Sequence, residues 1–431
     1  MNKIKVIALG LLMTAGVSMT SCLKEYTDPS SVTDAQVVSS VDGLIGLCGG
    51  MQLRYTVGRQ SPTYTSFTAS GMCAGEQRLL NLGNTDELNL GAGGSAVTGS
   101  NSVVGQLWSQ SFLLMKEANL VIDNIGIIGN PATKSTVQAY AHYFKAAAIG
   151  TLATYFEQMP ITLGKNQTFV TRQAALANAI ALLEGAESVM NGITIPSDVA
   201  AKLPAGFDLK NSIVALQARL NLMAKDYGKA LAAANKVDLT KKSEFRYDAV
   251  NVNPVFFSSY SNRNILEPTN KFLGLPAAIA MDTVNDKRFT FIFNPLASGT
   301  VNLGWGVMRS NTSAIPSYLP GEIRLIKAEC LAETNLTGAV TELNGVIQKK
   351  AANDPWAIGA DIAAGYTGGT AKGDILAEIY RQRCIELAYM GLRLEDSRRI
   401  GRPVSERTRD FFPYPQSERD NNTATPPDPA R

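Results

Sequence analysis

Trp305 sits between Gly304 and Gly306, outside any helical stripe, and Arg309 and Asn311 follow it closely. A flat indole can stack on the C–H face of a pyranose ring while guanidinium and amide groups reach the hydroxyls. A site built this way discriminates, because a buried donor left without its partner costs free energy. Tyr64, Phe67 and Arg78 form a comparable set nearer the N-terminus. Each aromatic has a plainer alternative role, pinning a long loop to its scaffold, since isolated surface aromatics are common.

Catalytic motifs are sparse. His142 is the one histidine, flanked by Tyr140, Tyr143 and Phe144. A His-rich metal site is thereby excluded, and a buried helical histidine is expected rather than a member of a Ser-His-Asp or Cys-His arrangement. Gly91-Ala92-Gly93-Gly94-Ser95 has the glycines of a phosphate loop but no following Gly-Lys-Ser/Thr, so a surface turn is expected. Carboxylate pairs for glycoside hydrolysis depend on separation in space and leave no local mark. The 40 basic and 37 acidic residues give a net charge of +3, scattered, with no stripe to attract nucleic acid.

Cys22 carries a different chemistry. Lys3 and Lys5 precede an apolar run from Val6 to Val17, and Met19-Thr20-Ser21 lead to Cys22, after which Lys24, Glu25, Asp28 and Pro29 turn the chain polar. The run falls short of the roughly 20 apolar residues that span a bilayer. The layout resembles a bacterial lipoprotein signal over residues 1–21, with Cys22 the lipidated residue and residues 22–42 a tether and the start of the fold. At about 0.8 kcal/mol per buried CH₂, two or more acyl chains hold a protein firmly at a membrane. The lipid is then the only membrane attachment expected. The other cysteines are Cys48, Cys73, Cys330 and Cys384. Cys330 and Cys384 lie on apolar helix faces and read as small buried hydrophobes. A disulfide between Cys48 and Cys73 stays open.

The elements that must position these residues are helical. Val104, Leu107, Leu114, Ala118, Val121 and Ile125 share one stripe, interrupted by Ser111, and Asn130-Pro131 stops it. A second helix is predicted from about Thr133 to Glu157, forming a hairpin with the first. Ile213, Leu216, Leu220 and Met223 mark another helix, and Asp226-Tyr227-Gly228-Lys229-Ala230 resembles the turn inside a tetratricopeptide repeat. Pro320 opens a further hairpin broken at Asn335–Gly338, and a last long helix is predicted from Asp374 to Met390. Residues 43–102 and 243–316 read as irregular, ligand-facing regions, rich in Gly, Asn, Ser and Thr. The fold class expected is mainly α, a stack of helix hairpins under a loop-rich face, in one domain over residues 43–431.

Three stretches, taken with the signal and Cys22, resemble the SusD/RagB family. They are Leu319-Pro320-Gly321-Glu322-Ile323-Arg324-Leu325-Ile326-Lys327-Ala328-Glu329, then Ile379-Tyr380-Arg381-Gln382-Arg383-Cys384-Ile385-Glu386-Leu387-Ala388-Tyr389-Met390-Gly391-Leu392-Arg393, and the ending Phe412-Pro413-Tyr414-Pro415-Gln416-Ser417-Glu418. They fall in the family's order and, with the signal, span most of the chain. Met390 departs from the acidic residue common before the glycine, and Leu394 from a common aromatic. The resemblance implies a tetratricopeptide-like scaffold on an outer-membrane, surface-exposed lipoprotein. It would capture a glycan or oligosaccharide and pass it to a SusC-like TonB-dependent transporter without catalysis. No cofactor is implied beyond the lipid on Cys22, and calcium assistance stays open. A peptide or glycoprotein ligand is the alternative within the family, and a secreted glycan-cleaving enzyme the alternative outside it. The charges of the second stretch, Arg381, Arg383, Glu386, Arg393, Asp396, Arg398 and Arg399, are expected to pair with one another and the stack rather than with ligand.

Overall fold

The computed structural model describes residues 33–261, 265–294 and 304–430. The signal, Cys22 and the start of the tether lie outside the described residues. Among those described, no helix is long and apolar enough to cross a membrane.

The scaffold is a run of helices in which each packs on the next. It comprises α4 (Ser102–Asn124), α5 (Pro131–Tyr155), α6 (Arg172–Val189), α7 (Leu209–Met223), α8 (Tyr227–Lys236), α9 (Pro320–Leu331), α10 (Leu336–Ile347) and α11 (Lys372–Glu386). Local chemistry sets the boundaries. Asn130 accepts the Thr133 N–H at 3.0 Å with Pro131 opening α5, Asp226 accepts the Lys229 N–H at 3.0 Å, and Asn335 accepts the Gly338 N–H at 2.9 Å. Ser111, the apparent break in the first stripe, is buried inside α4 because its hydroxyl donates to the Leu107 carbonyl at 2.7 Å.

Two expectations need correction. The region 43–102 is mostly helical, with α1 (Val41–Thr56), α2 (Pro62–Cys73) and α3 (Thr85–Ala92). Glycine weakens an isolated helix, but α1 packs on α4 and α5, and burial of Leu44, Ile45, Cys48 and Met51 outweighs that cost. The last long helix stops at Glu386, because Tyr389 and Gly391 turn into the left-handed region at φ 65° and 74°, and α12 (Arg393–Arg399) follows. The Gly91–Ser95 segment lies at the surface as expected, with Ala92 and Ser95 exposed, although a Cβ on Gly93 would lie 2.3 Å from the Thr408 carbonyl oxygen.

All four described cysteines are buried free thiols, so Cys48 and Cys73 form no disulfide. His142 is half-buried at the α5–α6 contact, near Gly185. The C-terminal motif straps the first hairpin: Phe412 stacks on Tyr155 at 5.6 Å, and Glu418 accepts the Trp108 indole N–H at 3.1 Å.

Candidate ligand face

Residues 246–314 form one long excursion from the scaffold, closed at its base by two short antiparallel strands. These are β2 (Glu244–Phe245) and β6 (Ile315–Pro316), with Phe245 opposite Ile315. Within the excursion, β3 (Leu266–Pro268) pairs with β1 (Gln77–Leu79), which follows α2, and β4 (Phe293–Asn294) pairs with β5 (Gly304–Trp305). Strand β5 lies against β3 and against a π-helical turn, Phe256–Ser261. Four segments from three parts of the sequence therefore meet on one patch, and π-helical turns are frequent at functional sites.

The expected site residues divide between this patch and the core. Arg78 lies on β1 with 54% of its side chain exposed, and its guanidinium is paired with Glu267 directly across on β3. Trp305 lies on β5, opposite Phe293. Arg309 is exposed and bonds the carbonyls of Gly306 and Thr290, bracing the chain just after β5. Asn311 is partly buried and its carbonyl accepts the Asn253 N–H at 2.7 Å. Asn253 in turn donates to the Ser313 carbonyl at 2.7 Å and caps the π-helical turn through Val255 and Phe256.

Tyr64 and Phe67 are not surface residues. They sit on α2 at 2% and 3% exposure, ring against ring at 6.3 Å, with Phe67 also against Tyr389. The helix that forms there turns both rings inward, so they support the face from below.

Sequence reasoning missed Phe257, Glu267 and Phe272. Phe257 projects from the π-helical turn with half its surface exposed, and Phe272 is covered by the Lys271 ammonium at 5.1 Å from the ring centre. Phe257 carried the same signal as Trp305, an aromatic off any helical stripe. Glu267 is buried, and its Oε2 has no hydrogen-bond partner. The patch thus carries an exposed aromatic ring, Phe257, and a guanidinium held by a carboxylate, residue types suited to stacking on a sugar ring and bonding its hydroxyls.

The charged stretch of α11 and α12 behaves as expected of a scaffold. Arg383 pairs with Asp396 at 2.8 Å, Arg399 with Glu329 and Asp396, and Arg398 with Glu395. Burial alone raises the Asp396 carboxyl, but the Arg383 and Arg399 guanidiniums hold it below the usual carboxylate range. Among the described residues, no group of three or more His, Cys, Asp or Glu could hold a metal.

No protein-family model matches this sequence, and no curated protein does. Solved structures do. A SusD superfamily protein from Bacteroides thetaiotaomicron superposes with a TM-score of 0.70 at 14% identity, over 92% of this chain and all of that one (100%). A SusD-like carbohydrate binding protein from Bacteroides fragilis gives 0.66 at 14% identity, over 90% of this chain and 100% of its own. Another of that description, from Bacteroides vulgatus, gives 0.66 at 16% identity, over 85% and 84%.

Proposed function

We propose that this chain, whose fold is that of the SusD superfamily, is a cell-surface lipoprotein that captures an oligosaccharide and hands it to a partner transporter. The observation that carries the reading is the convergence of β1, β3, β5 and the π-helical turn, which places Arg78, Phe257 and the Trp305 strand on one patch. Carbohydrate binding by structures of the same fold supports it. Capture without turnover is the natural use of such a patch, where an exposed aromatic and a guanidinium hold a sugar.

Lipid on Cys22 would anchor the protein to the outer membrane, and a SusC-like TonB-dependent transporter would receive the ligand. The rigid helix stack offers the transporter a large, unchanging surface while the excursion stays free for ligand. Titration of the purified chain with a panel of oligosaccharides and peptides, following heat and product together, tests the reading. Saturable heat from oligosaccharides with no product supports capture. Steady product release, or binding of peptides alone, contradicts it. Mild-detergent extraction tests the partner: co-purification with a large outer-membrane barrel is expected.

A further inference from the structure

Glu76 stands where the scaffold meets the ligand face. It is buried and directly precedes β1, and its carbonyl accepts the Thr269 N–H at 2.9 Å, extending the β1–β3 ladder by one pair. Its carboxyl takes the Tyr389 N–H from the chain between α11 and α12, while Oε1 has no hydrogen-bond partner. A buried carboxyl with one oxygen unbonded favours its neutral form. The charged groups facing it do not reverse that. Arg393 of α12 attracts the ionised form and Asp396 opposes it. Cys384 and the Tyr389 hydroxyl are neutral neighbours whose protons burial retains. On the strands, Arg78 is taken by Glu267, and α2, packed on β1, carries no charged residue. On α3, Glu87 pairs with Arg59 and Asp86 accepts the Ser102 N–H. Burial therefore prevails and pushes the Glu76 carboxyl up to about 7.

Arg393 is engaged elsewhere. Its buried guanidinium donates from Nη1 to the Leu273 carbonyl and from Nη2 to the Gly274 carbonyl at 3.5 Å. Those carbonyls belong to the turn 270–275 just after β3, which presents Lys271 and Phe272 at the surface. Leu273 and Gly274 both lie in the left-handed region, at φ 59° and 64°. A leucine keeps that conformation only where its surroundings enforce it. Gly274 also packs on Gly75, the residue before Glu76, so the turn and the carboxyl are next to each other. One guanidinium thus serves a strained turn of the ligand face while a protonatable carboxyl beside it attracts the same charge.

We propose that Glu76 is a proton-operated latch on the ligand face, its neutral carboxyl leaving Arg393 to clamp the 270–275 turn and its ionised form competing for that guanidinium. A guanidinium bonds a carboxylate more strongly than a carbonyl, so ionisation lets the turn open more often and carry Phe272 with it. The closed state keeps the proton up to about pH 7, whereas an opened, solvated Glu76 keeps it only to roughly 4.3. Opening therefore increases as pH rises between those values and levels off above them. The motion belongs to the chain whatever it binds; only its effect on capture rests on the function proposed above.

Amide hydrogen exchange of the full chain, corrected for the intrinsic rate at each pH, reads the opening. The reporters are the Leu273, Gly274 and Leu275 N–H groups, which bond Asn270 and Phe272 within the turn. Their protection should fall by more than about tenfold between pH 5 and pH 8. The Val255 and Phe256 N–H groups, held by the non-titrating Asn253 elsewhere in the excursion, are the control and should stay level. Glu76→Gln, neutral at every pH, should keep the turn protected at both. Crystals at pH 5 and pH 8 give a second readout: the Arg393 guanidinium should leave the Leu273 carbonyl for Glu76 at the higher pH. Equal protection of the turn at both pH values, the same loss in Glu76→Gln, or an equal loss in the control amides overturns the proposal. A chain that captures no oligosaccharide can still show the latch, so the two readings fail separately.

Discussion

The Arg288 guanidinium lies 3.0 Å from the Glu386 carboxylate with both side chains fully buried. Arg288 also bonds Asp286 at 2.6 Å and Gln382 at 2.7 Å, while Glu386 takes the Lys349 ammonium at 2.5 Å. One cluster thus ties the segment leading into β4 to α11 and to the end of α10. The Trp305 strand, paired with β4, is therefore held from a buried anchor rather than by surface contacts.

Removing one member should strand the rest. Arg288→Met leaves Asp286 buried without its cation and Glu386 with Lys349 alone, and breaking such a pair costs about 3–5 kcal/mol. Urea unfolding should show a correspondingly lower midpoint. Adding Asp286→Leu to that variant should recover part of the loss, and an unchanged midpoint in Arg288→Met would show that the cluster holds nothing.

Glu76 gives a pH dependence of opposite sign to an ordinary paired carboxylate. Burial pushes its carboxyl up to about 7, against the pull of Arg393 and a bond from the Tyr389 N–H. The folded protein therefore binds a proton that the unfolded chain has released above its own lower pKa, and stability falls as pH rises between the two values. Above pH 7 the penalty reaches about 3 kcal/mol. Glu76→Gln should melt at a higher temperature than the parent at pH 8 and nearly the same at pH 5. Equal melting shifts at both pH values would show that Glu76 is not the group responsible.

Two glycines should respond in opposite directions. Gly274 has φ 64°, and a Cβ there would lie 1.9 Å from the Gly75 carbonyl oxygen, so Gly274→Ala should destabilise by more than about 1 kcal/mol and disturb the lead into β1. Gly46 is an exposed helical residue in α1 whose Cβ would meet nothing within 4 Å. Gly46→Ala should stabilise by about 0.5–1 kcal/mol. Thermal melts of the two variants check both signs.

Phe67 and Phe257 separate support from contact. Phe67→Ala should cost about 3–5 kcal/mol of stability as a core truncation. Phe257→Ala should leave the melting temperature within a degree or so, since surface changes stay within about 0.5 kcal/mol, while weakening oligosaccharide binding several-fold. Loss of stability in Phe257→Ala would place that ring in the core instead.

Helices α4, α5 and α7 to α10 were legible because they write their cores at spacings of three and four and begin at Asn or Asp caps or at proline, whereas α6, capped by Thr171, was not read. Residues 41–92 were not, because their glycines depress helix propensity and only contact with α4 and α5 reveals the helix. That is why Tyr64 and Phe67 looked like loop aromatics. The arginines of the C-terminal stretch were readable as structural by type. The distant partner Glu329 was not, since it lies 70 residues from Arg399 in sequence. The third tryptophan, Trp356, gave no signal either: the Lys242 ammonium lies 4.3 Å from its ring centre, a contact no local pattern announces.

The most direct measurement is a calorimetric titration of the parent chain and an Arg78→Ala/Phe257→Ala double variant with the oligosaccharide that binds best, with product analysis of the same samples. Saturable binding by the parent without any product, and loss of that binding in a double variant that stays folded, is the result expected of a capture face. Equal affinity in both proteins, or product accumulating with time, would contradict it.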